Sequence, residues 1–169
     1  MKKSTVYFFT ALVIIAIVGL GLFLFNKNIP ASGYLKVNAE LGKDTPIISA
    51  LKPAAAVRLV DGSQELFADQ VYFDLRSLKW FKGAWIEVVY QPSGRLLNGL
   101  GAQIDLVPDY NIKKPLSDVE LADGWQQALF YFDFANLVVE KNVKHFVIDT
   151  VGQPDQFLKI KSINIILER

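Results

Sequence analysis

Residues 157–169 read FLKIKSINIILER, and this stretch decides the fold class. Its apolar residues alternate with polar ones, which is the period of a β-strand with one face against a core. The alternation changes phase once, between Ile160 and Ile163. Because a slip of one residue exchanges the two faces of a strand, we predict a β-bulge near residues 161–162.

The same alternation recurs upstream, and turn signals separate the segments. The residues that we expect to face a core are Val71, Phe73 and Leu75; Ile86, Val88 and Tyr90; Ala102, Ile104 and Leu106; Ala128, Phe130, Phe132 and Phe134; and Phe146 and Ile148. Asp61-Gly62 is typical of a hairpin turn, and residues 91–94, QPSG, predict another turn. Seven or more short strands of this kind predict a mainly β protein, a two-sheet antiparallel β-sandwich or jelly roll.

Three segments in this order resemble the galactose-binding-like jelly rolls, a class that contains many carbohydrate-binding modules. They read VYFDLRSLKWFKGAWIEVVYQPSG, GWQQALFYFDF and VKHFVIDTVGQPDQFLKIKSINIILER, beginning at residues 71, 124 and 143. The resemblance covers residues 56–169 and is one of pattern, not of an invariant motif. It implies an antiparallel sandwich with a binding or assembly role more readily than catalysis. It carries over no sugar-contacting residues, because these lie on loops that vary within the class.

Helix is expected only as single turns in this domain. One is predicted near residues 47–51. The other is predicted after Ser117, because residues 117–120 fit the S-x-x-E capping pattern.

The N-terminal region predicts a membrane anchor. Residues 5–25, TVYFFTALVIIAIVGLGLFLF, contain no charge and no proline, and an apolar helix of this length spans a hydrocarbon core of about 30 Å. Lys2 and Lys3 precede the run, and this bias favours a cytoplasmic N-terminus. A cleavable signal peptide is the competing interpretation. It is less favoured, because the apolar run is long and Ile29-Pro30-Ala31 is a poor cleavage site.

These features predict four parts of the chain. Residues 1–4 form a cytoplasmic N-terminus, 5–25 a single-pass transmembrane helix that contacts the lipid bilayer, 26–33 a linker, and 34–169 an extracytoplasmic β-sandwich domain.

Composition excludes several kinds of chemistry. The chain has no cysteine, so disulfides, thiolate nucleophiles and thiolate metal sites are absent. Its 18 Lys and Arg residues balance 17 Asp and Glu residues. Binding to a phosphate backbone needs an excess of positive charge, so we do not expect a nucleic-acid partner.

Aromatic residues are the candidate ligand-binding groups. In residues 77–85, SLKWFKGAW, Trp80 and Phe81 fall between two strands and are expected to be in the core. Trp85 has the phase opposite to Ile86 and is expected to point outward beside Glu87. The same phase argument turns three more aromatic residues away from the core: Tyr72, Trp125 and Tyr131. Outward rings of this kind can stack on the C–H face of a sugar while neighbouring polar groups bind its hydroxyls.

Metal binding is weakly indicated. The segment 107–123 is predicted to be a long loop, and five acidic residues lie in or beside it: Asp105, Asp109, Asp118, Glu120 and Asp123. Jelly rolls of the class that this chain resembles often bind a structural calcium. However, the segment has no calcium-loop spacing, so a solvated loop is favoured.

Catalytic chemistry is also weakly indicated. His145 is the only histidine, and Asp149 on the same strand face would lie about 13 Å away. No nucleophile motif accompanies it. We therefore predict no enzyme activity, no cofactor and no catalytic residue.

Two hypotheses of function follow. The first is a membrane-anchored module that binds carbohydrate or cell-envelope glycan. The second is an assembly subunit that uses the sandwich for protein contacts, because Leu129, Tyr131 and Val147 give the outer face an apolar character.

Overall fold

The computed structural model describes residues 9–10, 12–20, 33–105 and 109–169, which divide into two units, Met1–Leu35 and Lys36–Arg169. In the first unit, residues 9–10 and 12–20 are helical, and their side chains are exposed. No helix among the described residues is long and apolar enough to cross a membrane. The predicted transmembrane run 5–25 lies partly outside the described residues, and so does the linker 26–33 except for Gly33.

The described residues form eleven β-strands and three short 3-10 turns. The strands are β1 (Tyr34–Asn38), β2 (Val57–Val60), β3 (Ser63–Leu66), β4 (Gln70–Arg76), β5 (Gly83–Ser93), β6 (Leu96–Asp105), β7 (Asp109–Lys113), β8 (Ser117–Glu120), β9 (Gln126–Asp133), β10 (Val143–Val151) and β11 (Phe157–Glu168). The turns are Ala54–Ala56, Ala122–Gly124 and Phe134–Asn136.

The strands build the predicted antiparallel sandwich. A seven-stranded sheet has the order β2-β3-β11-β5-β9-β8, with β1 also pairing with β11, and a four-stranded sheet has the order β4-β10-β6-β7. Long strands lie at the centre of each sheet, because they supply the longest runs of alternating apolar residues. The mainly β, two-sheet fold class is therefore confirmed.

The core lies between the two sheets and consists largely of the inward series that the alternation predicts, of which Leu106 lies outside the described residues. All these side chains are at most 3% exposed: Val71, Phe73, Leu75, Ile86, Val88, Tyr90, Ala102, Ala128, Phe130, Phe132, Phe146, Ile148, Leu158, Ile160, Ile163, Ile165 and Leu167. Ile104 is an exception with 41% exposure. A shift of register between Gln103 and Asp105 interrupts the pairing of β6 there, so the alternation no longer holds.

The predicted bulge in β11 is confirmed. The register against β5 shifts between Ile160 and Ser162, so Lys161 is the extra residue. The bulge restores the phase, and apolar side chains on both sides of it face the core.

Local turn chemistry is partly as predicted. Asp61 and Gly62 both have positive φ, 47° and 74°, and they join β2 to β3 as a tight hairpin. The predicted turn at residues 91–94 begins later than expected, because β5 continues through Pro92 to Ser93.

Both predicted helical turns are wrong. Residues 47–51 form no helical turn, and Ile48 forms a β-bridge with Leu75. Residues 117–120 are strand β8, which pairs with β9. The S-x-x-E match is thus a chance one, and strand pairing overrides the local capping preference. The segment 107–123, predicted to be a loop, also contains β7 and β8.

One buried cation connects the two sheets' end loops. Arg95 is 2% exposed, and its guanidinium donates to the Asp69 carboxylate at 2.6 Å and to the Thr150 hydroxyl at 3.1 Å. It also donates to the backbone carbonyls of Gln153 and Gln156 at 3.1 and 3.2 Å. The side chain therefore holds the turn before β6 against the turn before β11.

Candidate functional site

The outer face of the seven-stranded sheet carries most of the predicted site residues. In the register of the sheet, Trp85 on β5 lies opposite Tyr131 on β9 and opposite Ile166 on β11. Glu87 lies two residues further along β5, and successive odd positions of that strand share a face. The predicted outward orientation of Trp85, Glu87 and Tyr131 agrees with their partial exposure beside buried neighbours.

Trp85 and Tyr131 form a ring pair. Their ring centroids are 4.8 Å apart, and the ring planes are inclined at 48°. Glu168 of β11 fixes both rings, since its carboxylate accepts a hydrogen bond from Trp85 Nε1 at 3.2 Å and from the Tyr131 hydroxyl at 2.7 Å. Gly83 leaves the space for the phenol, because a Cβ there would lie 2.6 Å from the Tyr131 hydroxyl oxygen. We call these two aromatic side chains the ring platform.

The electrostatics keep the Tyr131 phenol protonated. The hydrogen bond to Glu168 raises the pKa of Tyr131 to about 12, because ionisation would place two negative charges side by side. The phenol is therefore a hydrogen-bond donor over the ordinary pH range.

A second carboxylate lies next to the ring platform with its own donors. Glu87 accepts from Gln127 Nε2 at 2.6 Å and from Asn164 Nδ2 at 2.7 Å. The three side chains come from three neighbouring strands, so the sheet holds them in a row. Amide and carboxylate groups of this kind can both donate to and accept from hydroxyl groups.

Trp125 lies toward the far end of the same face. It immediately precedes β9, and the Lys161 ammonium lies 5.3 Å from the centroid of its ring. Six residues separate Trp125 from Tyr131 along an extended chain, which corresponds to about 20 Å. The outer face thus carries aromatic rings at both ends and polar groups between them.

Tyr72 does not belong to this surface. It lies on β4 of the four-stranded sheet, where its ring is 5.6 Å from that of Tyr110 and its hydroxyl donates to Gln70 at 2.6 Å. The phase argument correctly turned Tyr72 away from the core. Alternation, however, does not indicate to which of the two sheets a strand belongs.

Trp80 differs from its prediction. Phe81 is 3% exposed and is in the core, as expected, but Trp80 is 43% exposed, so the prediction that it is buried is wrong. The Arg169 guanidinium lies 5.4 Å from the centroid of the Trp80 ring. A cation over the ring face replaces the core packing that the sequence favoured.

The apolar outer face is smaller than predicted. Val147 does face outward on the four-stranded sheet, but it is fully buried. Gly101 makes this possible, since a Cβ at Gly101 would meet the Ile112 side chain at 2.5 Å and that of Val147 at 2.8 Å. Ile112 therefore covers Val147.

An open cleft adjoins the ring platform at one end of the sandwich. Its volume is about 1010 Å³, and Tyr131 and Glu168 are part of its wall. The remaining lining includes the buried rings of Phe81 and Phe134. We call this feature the end cleft.

The acidic residues do not gather into a metal site. Within the described ranges, no three His, Cys, Asp or Glu residues are placed to hold a metal ion together. Asp118, one of the predicted calcium candidates, instead accepts a hydrogen bond from the Tyr90 hydroxyl at 2.7 Å. The calcium that the resemblance implied has no support from these residues.

His145 contacts Asp74, not Asp149. Its Nδ1 lies 2.7 Å from the Asp74 carboxylate, which also accepts from Lys52 Nζ at 3.1 Å. Burial acts to raise the pKa of Asp74, but these two partners outweigh it and lower that pKa. The arrangement is a hydrogen-bonded cluster of side chains on the four-stranded sheet.

Comparison with known proteins supports the fold. No protein-family model and no curated protein matches the chain. Among solved structures, the xylan-binding module CBM15 is similar over 80% of this chain and 97% of its own, with a TM-score of 0.53 and 15% identity. Peanut lectin with a 9-residue peptide (79% and 97% covered, 10% identity) has a TM-score of 0.44. The carbohydrate-binding module TmCBM27, studied for specific mannan recognition (82% and 90% covered, 13% identity), has a TM-score of 0.34.

Proposed function

We propose that this protein binds carbohydrate on the outer face of the seven-stranded sheet, and that it does so without catalysis. The observation that carries the proposal is the ring platform, in which Trp85 and Tyr131 are held side by side by the Glu168 carboxylate. Aromatic rings that are fixed in advance lose little conformational entropy when a ligand stacks on them.

The neighbouring polar row completes the site. A sugar ring stacked on Trp85 and Tyr131 presents its hydroxyls at its edge, within reach of groups on the adjacent strands. Glu87, Gln127 and Asn164 would bind these hydroxyls, and their existing mutual hydrogen bonds keep them oriented. Trp125 would contact the ligand further along the face, so an oligosaccharide fits this surface better than a single sugar.

The fold supports the same proposal. The chain has the sandwich fold of a module that binds xylan. Xylan is therefore the first ligand to test, followed by mannan and the glycans of a cell envelope.

The test is binding of xylo-oligosaccharides to the full chain in mild detergent by calorimetry. We expect Trp85→Ala and Tyr131→Ala each to weaken binding about tenfold or more, which is the effect of removing a central aromatic contact. Tyr72→Ala is the matched control, because that half-buried tyrosine lies on the opposite sheet. Loss of binding in Tyr72→Ala alone would assign the site to the four-stranded sheet and contradict the proposal.

We further propose that residues 5–25 tether the domain to a membrane with residues 34–169 outside the cytoplasm. Such a tether would hold a weak binder at the surface and raise its effective concentration. Fractionation should recover the chain with membranes, and protease added to intact cells should cleave it beyond Gly33. Recovery of the full chain in the soluble fraction would contradict the tether and leave the sugar site unaffected.

The assembly hypothesis has less support. It depended on an apolar outer face, but Val147 is covered and Leu129 is only partly exposed. The observations therefore favour a sugar ligand over a protein partner for this domain.

A further inference from the structure

The end cleft has properties that neutral sugar binding does not require. It shares Tyr131 and Glu168 with the site of the proposed function, and it continues from there to the end of the sandwich. Its volume of about 1010 Å³ can hold a sugar ring. Its floor is apolar where the Phe81 and Phe134 rings lie.

The charges in the end cleft do not balance. Five cationic side chains line it or border its rim, namely Lys79, Lys82, Lys141, Lys144 and Arg169, against the two carboxylates of Asp133 and Glu168. Both carboxylates already have donors, because Glu168 accepts from the ring platform and Asp133 accepts from the Ala135 amide at 2.9 Å. In the part of the chain that the structure describes, none of the five cations forms a salt bridge.

Lys144 is the most informative of these groups. It lies on β10 in the phase of the core residues and is 3% exposed. Its ammonium donates to the Ser77 hydroxyl at 2.7 Å and lies 4.4 Å from the centroid of the Phe134 ring. An ammonium has three donors, and burial of a charge without an opposite charge is costly. Burial accordingly lowers the pKa of Lys144 to about 8.

The wall beside Lys144 also has an unused acceptor. Asn142 lines the end cleft, and its Oδ1 is buried with no hydrogen-bond partner among the described residues. Asn142 and Lys141 both have positive φ, 69° and 51°, so the backbone before β10 adopts an uncommon conformation there. A ligand with both hydroxyl donors and a negative charge would complement this wall.

We propose that the end cleft binds the carboxylate of a sugar acid, a uronic acid residue of the glycan, with Lys144 as the central cation. The carboxylate would supply the opposite charge that the buried ammonium lacks, and a hydroxyl of the same sugar ring would reach the Asn142 side chain. Lys82 and Lys141 would contribute longer-range attraction at the rim. This inference rests on the proposed function, since it places the acidic sugar next to the one stacked on Trp85 and Tyr131.

The test compares a xylo-oligosaccharide bearing one glucuronic acid with the same compound after reduction of its carboxyl group. We expect the full chain to bind the acidic compound about tenfold more tightly, the magnitude of a charge-assisted hydrogen bond. Lys144→Met should abolish this difference between the acidic and the reduced compound. Lys43→Met is the control, because Lys43 is exposed, does not line the end cleft and pairs with Glu40. Equal affinities for the two compounds in the wild-type chain would overturn the inference.

Failure of the fold in Lys144→Met would not remove the test. The double variant Lys82→Gln/Lys141→Gln changes exposed side chains only, and we expect it to reduce the preference for the acidic compound about threefold. An unchanged preference in this variant and in a folded Lys144→Met would contradict the inference.

Two further arms separate the possible outcomes. Free D-glucuronate, added to isotope-labelled chain, should shift the amide resonances of Ser77 and Asn142, and D-glucose should not. If neutral oligosaccharides fail to bind while glucuronate still gives these shifts, the proposed function is wrong and the anion site stands. Inorganic phosphate that binds as tightly as glucuronate would overturn the assignment to a sugar acid.

Discussion

The Tyr131 hydroxyl donates a 2.7 Å hydrogen bond to the carboxylate of Glu168, and this contact joins β9 to the far end of β11 across the intervening strand β5. The same carboxylate holds the Trp85 indole at 3.2 Å. One acidic residue therefore orients both rings of the platform, and its removal should lower the affinity for any ligand that stacks there.

Glu168→Ala is expected to weaken xylo-oligosaccharide binding about tenfold, because both rings lose the acceptor that fixes them. Glu168→Gln retains one carbonyl oxygen and should lose less. Calorimetry compares the affinities of wild type, Glu168→Gln and Glu168→Ala. Glu120→Ala on the exposed strand β8 is the control. Identical affinities for wild type and Glu168→Ala would show that the rings need no support from this residue.

The Tyr131 phenol should ionise at a higher pH than an ordinary tyrosine. Its pKa is raised to about 12, against about 10 for a tyrosine in an unfolded chain. The folded state therefore holds this proton more tightly, so the contribution to stability is complete below about pH 10 and is lost as the pH rises through 12. The difference in tyrosinate absorbance between wild type and Tyr131→Phe, followed as a function of pH, measures the pKa of Tyr131. A titration midpoint near pH 10 would contradict the expectation.

Gly83→Ala is expected to disturb the platform through a steric clash. The new Cβ would lie 2.6 Å from the Tyr131 hydroxyl oxygen and 3.1 Å from the Phe132 carbonyl oxygen. The phenol must move, and its bond to Glu168 should break, with a cost of about 1–3 kcal/mol in the free energy of unfolding. In a Tyr131→Phe background the hydroxyl is absent, so the cost of Gly83→Ala should be smaller. Equal costs in both backgrounds, measured by denaturant unfolding, would contradict a clash with the hydroxyl.

Lys144 predicts a rise of stability with pH. Its pKa is lowered by burial to about 8, whereas the unfolded chain keeps an ordinary value near 10.4. Between these values the unfolded state binds more protons, so the free energy of unfolding should increase from pH 8 to pH 10. Lys144→Met removes the charge, so its stability should lack this increase and should equal or exceed that of the wild type at pH 7. Parallel curves of unfolding free energy against pH for the two chains would disprove that Lys144 causes the increase.

Arg95 and its partner should differ sharply in their effect on stability. Arg95→Met removes the guanidinium that donates to Asp69, to Thr150 and to the backbone carbonyls between β10 and β11, and it is expected to destabilise the fold by about 3 kcal/mol. Asp69 is 76% exposed at its side chain, so water can replace its role, and Asp69→Asn should cost less than about 1 kcal/mol. Thermal unfolding of the two variants tests the asymmetry, which equal losses would refute.

Much of the sandwich could be predicted because alternation reports directly on burial. The phase of β5 and β9 correctly turned Trp85, Glu87 and Tyr131 outward, and the phase change in β11 correctly placed its bulge. These inferences need only neighbours along the chain.

The features that could not be predicted depend on which strands are adjacent in the sheets, and alternation along one strand carries no information on its neighbours. Glu168 was missed as a site residue because it meets Trp85 only through the pairing of β11 with β5, 83 residues apart in the chain. For the same reason Tyr72 was grouped with residues of the other sheet. Trp80 was expected in the core from its aromatic character alone, but it lies between strands, where no period applies, and Arg169 covers its ring.

Strand β11 follows the other ten strands in the chain and nevertheless lies at the centre of the larger sheet, between β3 and β5. During synthesis, the edges of β3 and β5 that pair with β11 stay unpaired until β11 has emerged from the ribosome. Their unpaired backbone edges are then open to wrong pairing, and sheets closed by distant segments form slowly. This domain should therefore not fold before β11 has emerged, and nascent chains ending before Phe157 should remain sensitive to protease.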